Sequence, residues 1–238
     1  MGQEGPSRET AATLPRSTWA LELDGEGSYM VLPPNILSRF EEGTVEAWVN
    51  WGSFQNMSRV FDFAFKDRLV SLQNRSTNQS LWVETFLSGK RFSVQEPDVL
   101  RSNEWVHLAV VVRPAELRLY LNGTLLSQRV VEESDTFRSA EFSRSNYLGR
   151  SNARLVWVQD EDFHGLMAEV RIWSQARTQE EIRTNLLASL TGKEPGWWHS
   201  TISPTPRSAG EMPLDTARRM EPSSIPSHRP LAWGPPMP

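Results

Sequence analysis

The sequence predicts an all-β fold: an antiparallel β-sandwich of the jelly-roll kind with one short C-terminal helix. Three observations carry this prediction. Short runs of period-2 alternation recur between residues 18 and 173, parted by turn residues. The apolar residues of these runs fall on alternate positions, as half-buried strands require. Residues 163–187, FHGLMAEVRIWSQARTQEEIRTNLL, then read as a strand followed by a capped amphipathic helix.

The elements follow in order. Residues 19–23 and 29–32 are strands around Asp24-Gly25-Glu26-Gly27-Ser28, where the glycines supply positive φ. In 44–51, Val45, Ala47, Val49 and Trp51 take one face, while Thr44, Glu46, Trp48 and Asn50 take the other. Strands are expected at 59–65, 69–73, 81–86 and 92–95. The run 105–112 is almost continuously apolar, which marks a central strand covered on both faces. Residues 117–121 and 124–130 flank Asn122-Gly123, the strongest two-residue hairpin signal in the chain. Residues 147–149 and 165–173 complete the strands. In the last of these, Leu166, Ala168, Val170 and Ile172 alternate with Met167, Glu169, Arg171 and Trp173. Thr178 and Glu181 have the spacing of a capping box, with Ile182, Leu186 and Leu187 as the apolar stripe behind it.

Composition divides the chain into three zones. Residues 1–17 are polar and expected to be disordered. Residues 18–193 hold the apolar periodicity and form one domain. Residues 194–238 carry ten of the sixteen prolines and are expected to be a disordered tail. That break in composition after Gly196 reads as a truncated or frame-disrupted piece of a longer protein.

The totals of the 238-residue chain exclude several function classes. A net charge of −4 offers no electrostatic footprint for nucleic acid. With no cysteine, thiolate nucleophiles, disulfides and Cys-based zinc sites drop out. The four histidines lack metal-ligand spacing, and no phosphate-binding or dinucleotide fingerprint is present. No run is long and apolar enough for membrane insertion, and no signal-peptide pattern opens the chain. The expected form is a monomer. Four Asn-x-Ser/Thr triplets begin at Asn56, Asn74, Asn78 and Asn122.

The tryptophans are the candidates for ligand contact, because exposed indoles stack on the apolar face of a sugar while amides and acids take its hydroxyls. Trp48 is in phase with Glu46 and Asn50, and Trp173 with Glu169 and Arg171. Glu46, Trp48, Asn50 and Trp173 are therefore the expected ligand-binding residues. The competing expectation is that these indoles fill the sandwich core.

The segments TVEAWV, NEWVHLAVV, LRLYLNGTLL, NYLGRSN and HGLMAEVRIWSQARTQEEI occur in the order seen in laminin G-like, concanavalin A-like jelly-roll domains. Together they make residues 18–193 resemble the bacterial branch of that family. The resemblance implies two antiparallel sheets, one concave and one convex, with the first and last strands adjacent. It implies glycan or protein recognition, an extracellular or periplasmic setting, and in some relatives a calcium ion at the sheet edge. Asp24 stands where such relatives hold one ligand. Their second ligands lie in a Gly-x-x-Asp-Glu-Val pattern, which here keeps Glu169 but has Ala168 in place of the aspartate. Calcium on Asp24 and Glu169 is thus the one cofactor the resemblance raises, with Asp160-Glu161-Asp162 as a second acidic cluster. Hydrolase relatives carry acids at i, i+2 and i+4 of one strand, and no such set occurs here; Asp62 stands alone between Phe61 and Phe63. The expected function is a non-catalytic recognition domain for a glycan or a protein surface, a module of a larger protein. The rivals are a spacer domain without a ligand and an altered glycoside hydrolase.

Overall fold

In the computed structural model, the described residues are 19–33, 42–65, 68–87, 90–130, 146–152, 160–188, 190, 193–200 and 217–219. They form β1 (Trp19–Asp24), β2 (Met30–Leu32), β3 (Gly43–Ser53), β4 (Arg59–Phe65), β5 (Arg68–Asn74), β6 (Leu81–Leu87) and β7 (Lys90–Glu96). These are followed by β8 (Trp105–Arg113), β9 (Glu116–Leu121), β10 (Thr124–Val130), β11 (Asn146–Leu148), β12 (His164–Trp173), α1 (Gln179–Asn185), β13 (Trp197–Ser200) and β14 (Ala217–Arg219). Residues 1–17, expected to be disordered, lie outside the described residues.

Two antiparallel sheets face each other. The larger has the order β10-β9-β8-β3-β12-β1-β14, with β13 also paired to β12, and the smaller has the order β2-β11-β4-β5-β6-β7. Their inner faces meet in one apolar core that includes Val45, Ala47, Val49 and Trp51 from β3, Phe61 and Phe63 from β4, and Leu81 and Val83 from β6. The Val45 face of β3 is therefore the one turned into the core between the sheets. β8 is buried along 105–112, covered on both sides as its unbroken apolar run requires. The first strand lies beside the last long one, with Ala20 opposite Ala168 and Asp24 opposite His164.

β12 departs from simple alternation. Its register with β3 shifts between Ala168 and Arg171, and Glu169 adopts a φ of 49°. This bulge adds one residue and reverses the phase. Leu166 and Ala168 point away from the core with Trp48, whereas Val170 and Ile172 join the core with Met167. The four apolar residues that seemed to share one face are split between two.

Residues 194–238, expected as a disordered tail, contribute two strands to the larger sheet, β13 and β14, and residues 201–216 and 220–238 lie outside the described residues. β1 pairs with 164–168 of β12, and β13 continues along the same edge, with Arg171 opposite Ser200 and Ile172 opposite His199. β14 pairs with the outer side of β1. Both segments are free of proline. Both are short and peripheral, which proline-rich chain tolerates.

Gly165 sits where β12 crosses close to β3. Its φ is +147°, and an added Cβ would run into the Asn50 carbonyl oxygen and lie 2.9 Å from the Gly52 nitrogen. Backbone on both sides leaves nothing flexible to yield. Gly165→Ala is therefore expected to lower unfolding stability by about 2–3 kcal/mol, read as a shift in the urea midpoint.

Candidate functional site

The outer face of the larger sheet is closed by α1. The helix starts at Thr178, whose hydroxyl accepts from the Glu181 N–H at 3.3 Å while Glu181 accepts from the Thr178 N–H at 2.7 Å. The capping box read in the sequence is complete. Ile182 packs on Ala109, Val111 and Tyr120, and Leu186 packs on Trp48 and Trp105. Leu187, placed in the same stripe by the sequence, is exposed.

Beneath α1 lies a buried polar network. Arg171 donates to the carbonyls of Asn185 at 2.7 Å and Ala188 at 2.8 Å, where the C-terminal end of the helix leaves acceptors unpaired. It also pairs with Glu169 at 3.1 Å and stands 3.9 Å from Glu46. Trp173 donates its indole N–H to Glu46 at 2.7 Å, and Trp48 donates to the Leu186 carbonyl at 3.2 Å. His107 Nε2 is 3.5 Å from the second Glu46 oxygen. The Arg177 guanidinium covers the Trp173 ring at 3.9 Å.

This geometry overturns the expected ligand surface. Trp48, Trp173 and Glu46 are 0% exposed and Asn50 is 8% exposed. The sequence correctly grouped Glu46, Trp48 and Asn50 on one face, but a helix occupies the place of a ligand. Trp48 binds the end of α1, and Trp173 supports the network beneath the helix through Glu46.

Asp24 and Glu169 do not converge either. Asp24 is opposite His164, five residues before Glu169 along β12, a separation of about 16 Å at the rise of a strand. The Asp24 carboxylate accepts from the Ser28 hydroxyl at 2.6 Å and the Glu26 N–H at 2.8 Å, which lowers its pKa. Glu169 is committed to Arg171. These two residues do not fit a calcium ion. The second acidic cluster is also dispersed: Asp160 binds Arg59, Asp162 binds Arg150, and Glu161 accepts from the Asn56 N–H. Among the described residues, no group of three or more His, Cys, Asp or Glu could hold a metal ion.

The smaller sheet presents a different outer face. Its register lines up Val31, Tyr147, Asp62, Ser71, Glu84 and Ser93 across six strands. The neighbouring row holds Arg59, Gln73, Trp82 and Gln95. The middle of this face is polar and closed. Arg59 donates to Ser71 at 3.2 Å and to Asp160 at 3.1 Å, and the Asn152 N–H binds Asp62 at 3.0 Å. Burial pushes the Asp62 carboxyl up, against the pull of Arg59 and Asn152. Gln73 is fully buried here, and neither its amide nitrogen nor its oxygen has a hydrogen-bond partner.

Towards β6 and β7 the face opens. Trp82 is half-buried, with the Arg75 guanidinium 4.3 Å from its ring centre. Glu84 and Ser93 are half-buried and Gln95 is exposed. This grouping is an aromatic platform with a cation above it and hydrogen-bonding groups alongside. The phase of LWVET, with Trp82 and Glu84 opposite Leu81 and Val83, is the signal in the sequence that could have found them, and it does not say which face is outward.

Two outcomes follow for the buried network. Trp48→Ala removes a large buried ring and the bond to Leu186, so a loss of about 3–5 kcal/mol is expected, with loss of helix signal in far-UV circular dichroism before global unfolding. Burial pushes the Glu46 carboxyl up, but the bonds and charges of His107, Arg171 and Trp173 reverse this and hold it below its usual value. Its stabilisation is full above the unfolded-state pKa of about 4.3 and is lost as pH falls through the lower folded value. Glu46→Gln should flatten this acid limb in urea titrations across pH. Glu169, raised by burial and by Glu46 against the pull of Arg171, has the opposite sign: its contribution fades as pH rises through its folded value, so Glu169→Gln should leave the acid limb in place.

Comparison with known proteins places this architecture. No curated protein matches the sequence. Among solved structures, a Bacteroides ovatus protein described as carbohydrate-binding superposes with a TM-score of 0.59 at 20% identity, over 88% of this chain and 57% of its own. Domain 4 of AbnA, a GH43 extracellular arabinanase from Geobacillus stearothermophilus in complex with arabinotriose, gives 0.54 at 23% identity, over 71% of this chain and 76% of its own. The Ruminococcus gnavus IT-sialidase CBM40 bound to α2,3 sialyllactose gives 0.52 at 15% identity, over 73% of this chain and 98% of its own. At these identities the likeness is one of fold. The family model for the concanavalin A-like lectin/glucanases superfamily, of the laminin G type, matches residues 24–183. With its two antiparallel sheets, its adjacent first and last strands and that match over most of its length, the chain belongs to the concanavalin A-like lectin/glucanases superfamily.

Proposed function

We propose that this chain is a glycan-binding module, and that its ligand rests on the outer face of the smaller sheet at Trp82. The observation that carries the reading is Trp82 itself. It is a half-buried indole on a hydrogen-bonded strand, with Arg75 over its ring at 4.3 Å and Glu84 and Gln95 beside it. Sugars need an aromatic surface for their C–H face and fixed polar groups for their hydroxyls. Both are present within one strand spacing. Neighbours in fold include one domain in complex with arabinotriose and one bound to sialyllactose, which supports the same ligand class.

Binding without hydrolysis is the favoured form. Asp62 and Glu84 share a row but are separated by Ser71 on β5, two strand spacings or about 10 Å between backbones. Asp62 is fully buried and held by Asn152. A general acid must reach the glycosidic oxygen, and Asp62 has no open side from which to do so.

The test is binding on a glycan array, followed by calorimetry on the strongest hit. Trp82→Ala should reduce affinity about tenfold, since stacking on an aromatic ring contributes up to about 1.5 kcal/mol beyond the area it buries, with a thermal midpoint close to the parent. Equal binding by parent and Trp82→Ala would overturn the assignment of the platform. Release of reducing sugar from the bound glycan would overturn the non-catalytic form.

A further inference from the structure

A second aromatic surface stands on the same outer face, at the opposite edge of the smaller sheet. Tyr29 immediately precedes β2, and Tyr147 lies on β11 opposite Val31. The two rings meet edge to face at 5.4 Å between centroids. Tyr29 is 36% and Val31 61% exposed, and Tyr147 is half-buried. Four rigid interactions hold this surface. The Arg150 guanidinium lies 3.6 Å from the centre of the Tyr29 ring. Arg150 is itself fixed by a two-point pairing with the buried Asp162, at 3.1 and 2.9 Å, and by the Gly27 carbonyl at 3.0 Å. A preorganised ring lowers the entropy cost of binding.

The register connects this surface to the first platform. Tyr147, Asp62, Ser71 and Glu84 are in one row, which sets Tyr147 three strand spacings from β6, about 14 Å. The polar strip of Arg59, Asp62, Ser71 and Gln73 fills the interval. Phenol rings with hydroxyl tips offer a stacking surface and a hydrogen-bonding group together, which fits a pyranose or furanose ring.

We infer that Tyr29 and Tyr147 form a second sugar subsite, so that the module engages an oligosaccharide at two points on one sheet face. This rests on the glycan-binding reading of the Trp82 platform. Its specific consequence is that affinity depends on ligand length. A short saccharide fills one platform, and a longer one fills both and gains from the linkage.

The experiment is calorimetry of the full chain with arabino-, xylo- and cello-oligosaccharides from disaccharide to hexasaccharide. For the parent, affinity in the binding series should rise at least tenfold between the short and long members. The double variant Tyr29→Ala/Tyr147→Ala should abolish that rise while leaving disaccharide affinity within twofold. Val31→Asp, at an exposed position away from the core, should weaken the long members alone and serves if the double variant does not fold. Trp82→Ala should weaken every length. If the tyrosine and Val31 variants retain the length dependence while Trp82→Ala loses binding, the second subsite is wrong and the first reading stands. If the parent binds neither these series nor any glycan on the array, or if Trp82→Ala changes nothing, both are wrong.

Discussion

The burial of the Arg171 guanidinium is the interaction on which the arrangement of this domain depends. A charge out of water must find several partners at once, and Arg171 finds them on three elements: Glu169 on its own strand, Glu46 on β3, and the Asn185 and Ala188 carbonyls at the end of α1. A helix of seven residues is far too short to persist alone. It persists here because its first turn is capped by Thr178 and its last is bound by Arg171 and Trp48. The bulge at Glu169 is part of the same device. By reversing the phase of β12, it turns Arg171 and Trp173 outward towards the helix while keeping Val170 and Ile172 in the core.

With α1 held in place, the two sheets become unequal. The larger has a core on one side and α1 over Trp48, Tyr120 and Arg171 on the other. The smaller keeps an outer face with half-buried and exposed side chains. Its centre is closed by Asn152 and Asp160 bonding to Asp62 and Arg59. Aromatic residues remain accessible on either side, Trp82 towards β7 and Tyr29 with Tyr147 towards β2. Each is steadied by an arginine. Such fixed rings suit recognition of a ligand that has little charge and many hydroxyls, where orientation contributes more than long-range attraction.

The calcium expectation failed for a reason specific to these residues. Asp24 supports its own turn through Ser28 and Glu26, and Glu169 answers the charge of Arg171. Each carboxylate has a complete local role, and the strand between them keeps them apart. Ala168, at the position where the resemblance implied an acid, packs with Ala20 and Trp48.

The sequence by itself determined the strands from β1 to β12, the Asn122-Gly123 hairpin, the capped helix and the family, because period-2 burial, turn chemistry and capping are local rules that neighbouring residues obey. It also grouped side chains correctly by face, as with Glu46, Trp48 and Asn50. Only the tertiary structure decided which of those faces meets water. Alternation states that a strand has two sides, but what covers each side comes from residues far along the chain: α1 lies more than a hundred residues after β3. The bulge at Glu169, the pairing of β13 and β14 with the sheet edge, and the exposure of Trp82 in place of Trp48 all arise from such distant contacts.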